Sequence, residues 1–84
     1  MEDTQTRIAV IAIVVEDSES AVEINSLLHE YSTYIIGRMG IPYPSKNVSL
    51  ISVAMDAPAD SISALTGKLG RIQGVTVKTA YSKV

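Results

Sequence analysis

The chain is predicted to adopt an α+β fold of element order βαββαβ, and three observations carry that prediction. Its two halves resemble one another, residues 8–17 matching 48–57 and 34–36 matching 75–77. Each half reads strand, helix, strand, with apolar residues changing from a continuous run to helical spacing and back. The composition, 46% hydrophobic and 19% charged over 84 residues, is that of one ordered domain.

The first strand is expected over 8–15, an unbroken β-rich run closed by Glu16-Asp17-Ser18, where Asp17 or Ser18 can accept the free amide hydrogens of a starting helix. In that helix Ile24, Leu27, Leu28 and Tyr31 recur at i, i+3, i+4 and i+7 and form one stripe, with Glu23, Asn25, His29 and Glu30 beside or opposite it. Residues 34–39 return as the second strand. Residues 41–47 read as a loop, because Pro42 and Pro44 cannot continue a ladder of hydrogen bonds. A third strand is expected over 48–55, and Pro58 suits the first position of the second helix, where its missing amide hydrogen costs nothing. Ile62, Leu65, Leu69 and Ile72 make that helix's buried stripe, Gly70 and Gly74 are candidates to end it, and 75–81 alternates as the last strand. Two right-handed crossovers in this order give the ferredoxin-like plait, a four-stranded antiparallel sheet with both helices on one face. The domain is placed at 7–82, with 1–6 and 83–84 as short extensions.

A plait leaves one sheet face bare, and such a strand should alternate apolar and polar. The first strand does not: Ile8, Val10, Ala12 and Val14 line one side and Ala9, Ile11, Ile13 and Val15 the other. A domain of this length buries only roughly 60–65% of its unfolded surface, and the few residues flanking it are too short to cover a face. The expectation is a homo-oligomer, dimer or tetramer, built through the open face with Ile11, Ile13, Ile51 and Val53 as contact residues.

Several functions are disfavoured by composition. With no cysteine there is no disulfide, thiolate metal site or cysteine nucleophile. Seven basic against nine acidic residues, without a basic cluster, lack the electrostatic footprint of a nucleic-acid binder. No apolar run reaches the ~20 residues that cross a bilayer, and Met1-Glu2-Asp3 is acidic where a signal peptide is basic, so a cytoplasmic location is expected. Glu16 and Asp17 are neighbours on a strand end and point apart, which favours capping over paired-carboxylate catalysis. Gly67-Lys68 lacks the upstream glycine and following Ser or Thr of a phosphate loop. His29 is the only histidine, without the company a metal site requires. No serine, histidine and acid fall into a nucleophile arrangement, and no enzyme, cofactor or metal is expected.

The segment Gly37-Arg38-Met39-Gly40-Ile41-Pro42-Tyr43 is different, since it sets two glycines and a cation among strand residues where packing asks for neither. Gly37, Arg38, Gly40 and Tyr43 are the candidate ligand-binding residues: the Arg38 fork suits a carboxylate or phosphate, and the glycines admit a close approach. In the other reading Arg38 pairs with Glu16, Asp17 or Glu30 of a neighbouring subunit and the glycines only let chains approach.

Ile13-Val14-Val15-Glu16-Asp17, Leu27-Leu28-His29-Glu30-Tyr31, Ile35-Ile36 with the Gly37–Tyr43 segment, and Ala64-Leu65-Thr66-Gly67-Lys68-Leu69-Gly70 followed by Gly74, Val75, Val77 and Lys78 together resemble the small ACT-like family of iron-only hydrogenase system regulators. The resemblance spans 7–81. It implies a plait of the kind found in ACT domains and in the ligand-sensing half of the nickel-responsive repressor, an oligomer, and an association with bacteria that mature an iron-only hydrogenase. That repressor's His/Cys metal set has no counterpart here, and no room is seen before Ile8 for its DNA-reading ribbon-helix-helix. The expected function is a non-enzymatic sensor that binds a small effector or a hydrogenase-maturation protein; the alternative is a purely structural interaction module with no ligand.

Overall fold

In a computed structural model, which describes residues 5–83, the chain runs β1 (Arg7–Val15), α1 (Ala21–Glu30), β2 (Ile35–Tyr43), β3 (Val48–Ala57), α2 (Ala59–Gly70) and β4 (Val75–Tyr81), with 3-10 turns at Ser18–Ser20, Ser32–Tyr34 and Pro44–Lys46. The four strands form one antiparallel sheet in the order β2-β3-β1-β4, so the ferredoxin-like plait read from the sequence is the fold. Residues 1–4 and 84 of the expected terminal extensions lie outside the described residues.

The core lies between the sheet and the helices. Ala9, Ile11, Ile13 and Val15 of β1, Val53, Met55 and Ala57 of β3, Ile24 and Leu28 of α1, and Ile62, Leu65 and Leu69 of α2 are buried in it, with Ile72 closing the end. The α2 stripe is as the spacing predicts; in α1 Ile24 and Leu28 are buried while Leu27 and Tyr31 flank the core half-covered.

This placement corrects the expected contact surface. Ile11, Ile13 and Val53 are 0 to 1% exposed beneath the helices, and Ile51, opposite Ile13, packs half-buried on the same side. None of the four lies on the open face, which instead carries Ile8, Val10, Ala12 and Val14 of β1 with Leu50, Ser52 and Ala54 of β3. The bulkier set of β1 goes where the helices can pack on it, because filling the closed layer removes more apolar area from water.

β2 also differs from expectation, continuing through Pro42 to Tyr43 instead of breaking at Gly40. It is an edge strand, so Pro42, opposite Ser49, owes no hydrogen bond to an outer neighbour. The turn falls at Pro44–Lys46 and is closed by Asn47 in the left-handed region, φ 59°, which asparagine tolerates. Pro58 sits one residue earlier than expected, as the N-cap of α2, and its carbonyl accepts from the amides of Ser61 and Ile62. Asp17 caps the short Ser18–Ser20 turn ahead of α1 by accepting from the Glu19 amide at 3.0 Å.

The loop after β1 is locked to the loop before β4. Gly74 has φ +75°, the amide of Glu16 donates to its carbonyl at 2.7 Å, and the buried Ser20 hydroxyl donates to the Gln73 carbonyl at 2.7 Å. Between these two candidates it is Gly74 that turns the chain; Gly70 is the last residue of α2.

Candidate functional site

The crossover from β1 to β2 carries α1 over the sheet toward its β2 edge, but α1 is only ten residues long and leaves much of β2 uncovered. After Ile35 every residue of β2 is exposed, including those whose side chains point toward the helix layer. Arg38, opposite Val53, and Gly40, opposite Ile51, are on that side by register, since directly paired residues share a face.

Asn25 meets Arg38 there. It follows the buried Ile24 on α1, at the margin of the apolar stripe, and its Oδ1 accepts from Arg38 Nη2 at 2.9 Å. A shallow groove of about 380 Å³ runs between α1 and β2, lined by Asn25, Leu28, His29, Ser32, Ile35 and Arg38. Farther along, between the start of α1 and the β2–β3 hairpin, is a second and more apolar cleft of about 270 Å³. Val15, Ala21, Ile24, Ile51, Pro42 and Pro44 supply its apolar surface, and Ser18, Asn25, Tyr43, Asn47 and Ser49 its polar groups. Asn25 belongs to both hollows and joins them.

No charged side chain lines the cleft, and Arg38 stands in the groove beyond Asn25. An apolar body with hydrogen-bonding groups fits the cleft; an anionic group of the same molecule would find its cation next door. Among the described residues no group of three or more His, Cys, Asp or Glu could hold a metal ion. His29 lines the groove with Arg38.

The glycines behave unlike Gly74. Neither Gly37 nor Gly40 has a positive φ, and a Cβ built on either would meet nothing within 4 Å. Nothing inside the folded chain therefore requires glycine at these positions. They also part company: Gly40 is on the helix side, paired with Ile51 of the cleft, while Gly37, paired with Ala54, opens onto the bare face in a hollow with Arg38, Met39, Ser52 and Ala54. Arg38 and Tyr43 are thus each set beside Asn25, Arg38 in the groove and Tyr43 in the cleft, while Gly40 reaches the cleft only through its paired residue Ile51, and Gly37 lies apart from Asn25.

Asn25 and Asn47 are the site residues that sequence reasoning missed. A signal existed for Asn25, a polar residue abutting the buried stripe on the side that must face β2; for Asn47 it was only the prolines that place a hairpin tip nearby. Arg38 makes no ion pair with Glu16, Asp17 or Glu30 within the chain. Among the described residues the one shifted group is elsewhere: the Lys68 ammonium, hydrogen-bonded to the Tyr31 hydroxyl at 3.1 Å and lying over its ring, has its pKa raised above the ordinary 10.5 chiefly by that hydrogen bond. It ties α2 to α1 and has no part in the cleft.

A βαββαβ plait with an uncovered edge strand and a cleft at the β1–α1 turn is a small ferredoxin-like module. Residues 7–79 match the model of the family described as "TM1266-like: Iron-only hydrogenase system regulator, putative", and the chain belongs to that family. It is similar to the uncharacterized protein TM1266 from Thermotoga maritima, with 43% identity and a TM-score of 0.88 over 93% of this chain and 99% of that one. Two more distant structures share the fold alone. The C-terminal domain of the MgtC protein from Mycobacterium tuberculosis is 10% identical with a TM-score of 0.73, covering 99% of this chain and 95% of that one. A formyltetrahydrofolate deformylase from Pseudomonas putida is 13% identical with a TM-score of 0.63, covering 87% of this chain and 28% of that one. No protein of curated function matches the chain. No helix among the described residues is long and apolar enough to cross a membrane.

Proposed function

We propose that this chain is a non-enzymatic sensor module of the iron-only hydrogenase system, binding a small organic acid in the cleft between α1 and the β2–β3 hairpin and relaying its presence to a partner protein of hydrogenase maturation. The observation that carries the reading is the empty space at Gly40 beside an apolar cleft: a glycine that neither backbone nor packing demands, with Asn25 leading from the cleft to the Arg38 guanidinium. In this reading the ligand's apolar part displaces water from Ala21, Pro42, Pro44 and Ile51, and its carboxylate takes two hydrogen bonds from Arg38 in place of the single one Asn25 accepts now.

A thermal-shift panel of amino acids, other small carboxylic acids, nucleotides and metal ions tests it. A true effector at a hundred times its Kd stabilises by about 2.7 kcal/mol, which in a domain of this size raises Tm by roughly 10–20 °C. Arg38→Ala is expected to abolish that shift while leaving the unliganded Tm within about 2 °C, because the replaced bond is an exposed one. The structural module without a ligand predicts no stabilising compound in the panel, and a hit that survives Arg38→Ala would place the site elsewhere.

A further inference from the structure

The bare face of the sheet has a shape of its own, independent of the cleft on the helix side. Val14, Leu50 and Ile41 stand abreast across β1, β3 and β2 and form a ridge. The two rows below it are low at their centres: Ala12 and Ser52 in one, flanked by Met39 and Lys78, and Ala54 and Gly37 beside Val10 in the next. Where ridge meets low row there is a hollow of about 280 Å³, lined by Ala12, Val14, Met39, Ile41, Leu50 and Ser52 and reaching Ile13 and Ile51, in which Ser52 is the one polar residue. Charges stand at the margins, Asp56 near the end of β3 and Lys78 on the edge strand β4.

We infer that this face is the docking surface for a second copy of the chain, the two sheets packing face to face about a two-fold axis that runs across the strands between the ridge and the low rows. Such an axis exchanges the rows, so the ridge of each protomer drops into the hollow of the other; a ridge and a trough side by side on one patch make it self-complementary, which is what a two-fold interface requires. The area is sufficient. Ile8, Val10, Met39, Ile41 and Leu50 remain 37 to 60% exposed. They leave on the order of 500 Å² of apolar surface per protomer, so a pair buries about 1,000 Å² or more, where specific interfaces begin. The helix-side cleft points away and stays open in this pair, so failure of either proposal leaves the other standing.

The test is sedimentation velocity from 1 to 100 µM with three chains: wild type, Leu50→Glu and Ile41→Glu. The wild type is expected at twice the 9.0 kDa protomer mass, and each substitution, on a half-exposed side chain that leaves the helical circular dichroism unchanged, is expected to weaken association at least 100-fold. A second measurement needs no disruptive change. Because the chain has no cysteine, Ser52→Cys treated with a short bismaleimide is expected to give a covalent dimer, and Glu23→Cys on the exposed side of α1 is not. A wild type that is monomeric at 100 µM overturns the inference. So does a dimer that persists in both glutamate variants with no Ser52→Cys cross-link, which would put the contact on another surface.

Discussion

Gly74→Ala is the substitution whose cost follows most directly from the geometry. Gly74 turns the chain from α2 into β4 at φ +75°, a conformation that costs an L-residue about 1–2 kcal/mol. An added Cβ would lie 2.7 Å from Asp17 Cβ and 3.2 Å from the Asp17 amide nitrogen, and this backbone is held in place by the Glu16 amide bond to the Gly74 carbonyl at 2.7 Å. Relieving such a contact by shifting the loop typically costs a further 1–3 kcal/mol. The sum, about 2–5 kcal/mol, is a large part of the stability of a domain this small, and at about 4–8 °C per kcal/mol it lowers Tm by roughly 8–40 °C. Urea unfolding followed by circular dichroism, at one fixed protein concentration, reads it directly. Gly40→Ala is the internal control, because its Cβ enters open space at an ordinary φ; it should be neutral or stabilising by up to about 1 kcal/mol. A Gly74→Ala loss below about 1 kcal/mol, or an equal loss in Gly40→Ala, would refute the argument that the two glycines exist for different reasons.

Three further outcomes are expected. Ile13→Ala should cost about 2–5 kcal/mol of unfolding free energy, independent of protein concentration, since Ile13 is a core residue and not a contact between chains; a change confined to the association constant would contradict its placement. The Lys68 pKa is raised, so the contribution of its bond to Tyr31 is intact below pH 10.5 and is lost as pH rises through the raised value. Stability of the wild type should therefore fall with respect to Lys68→Met above that pH and not below it, as read by urea midpoints between pH 8 and 11.5. Ser20→Ala removes the hydroxyl that satisfies the Gln73 carbonyl at a buried position and should cost about 1–2 kcal/mol in the same assay.

Most of the fold was legible because the two kinds of apolar spacing agree with one another. Ile62, Leu65, Leu69 and Ile72 recur at helical intervals between two β-branched runs, and nothing but a crossover helix fits there. The orientation of the sheet was harder, since β1 is apolar on both sides and says nothing about which side meets the helices. The other strands did hold the answer: Ser52 and Asp56 alternate with Ile51, Val53 and Met55, and Thr76 and Lys78 with Val75 and Val77, so the polar members mark the open face once the registers are known. Register is a long-range property, and no local pattern supplies it. Pro42 misled for a similar reason, because a proline ends a central strand but not an edge one, and β2's place at the edge comes from topology. At the site, Arg38 and Gly40 were conspicuous by type alone, whereas Asn25 became visible only when α1 was laid against β2.

The most direct test of the cleft as an effector site is a titration of the ¹⁵N-labelled protein with the small acids that raise Tm, followed amide by amide. The sensor reading predicts saturable shifts centred on Asn25, Gly40, Tyr43 and Asn47, extending to the Arg38 side chain and absent from Arg38→Ala. Shifts confined to the open face, at Ala12, Leu50 and Ser52, or no shift with any acid in the panel, would contradict it.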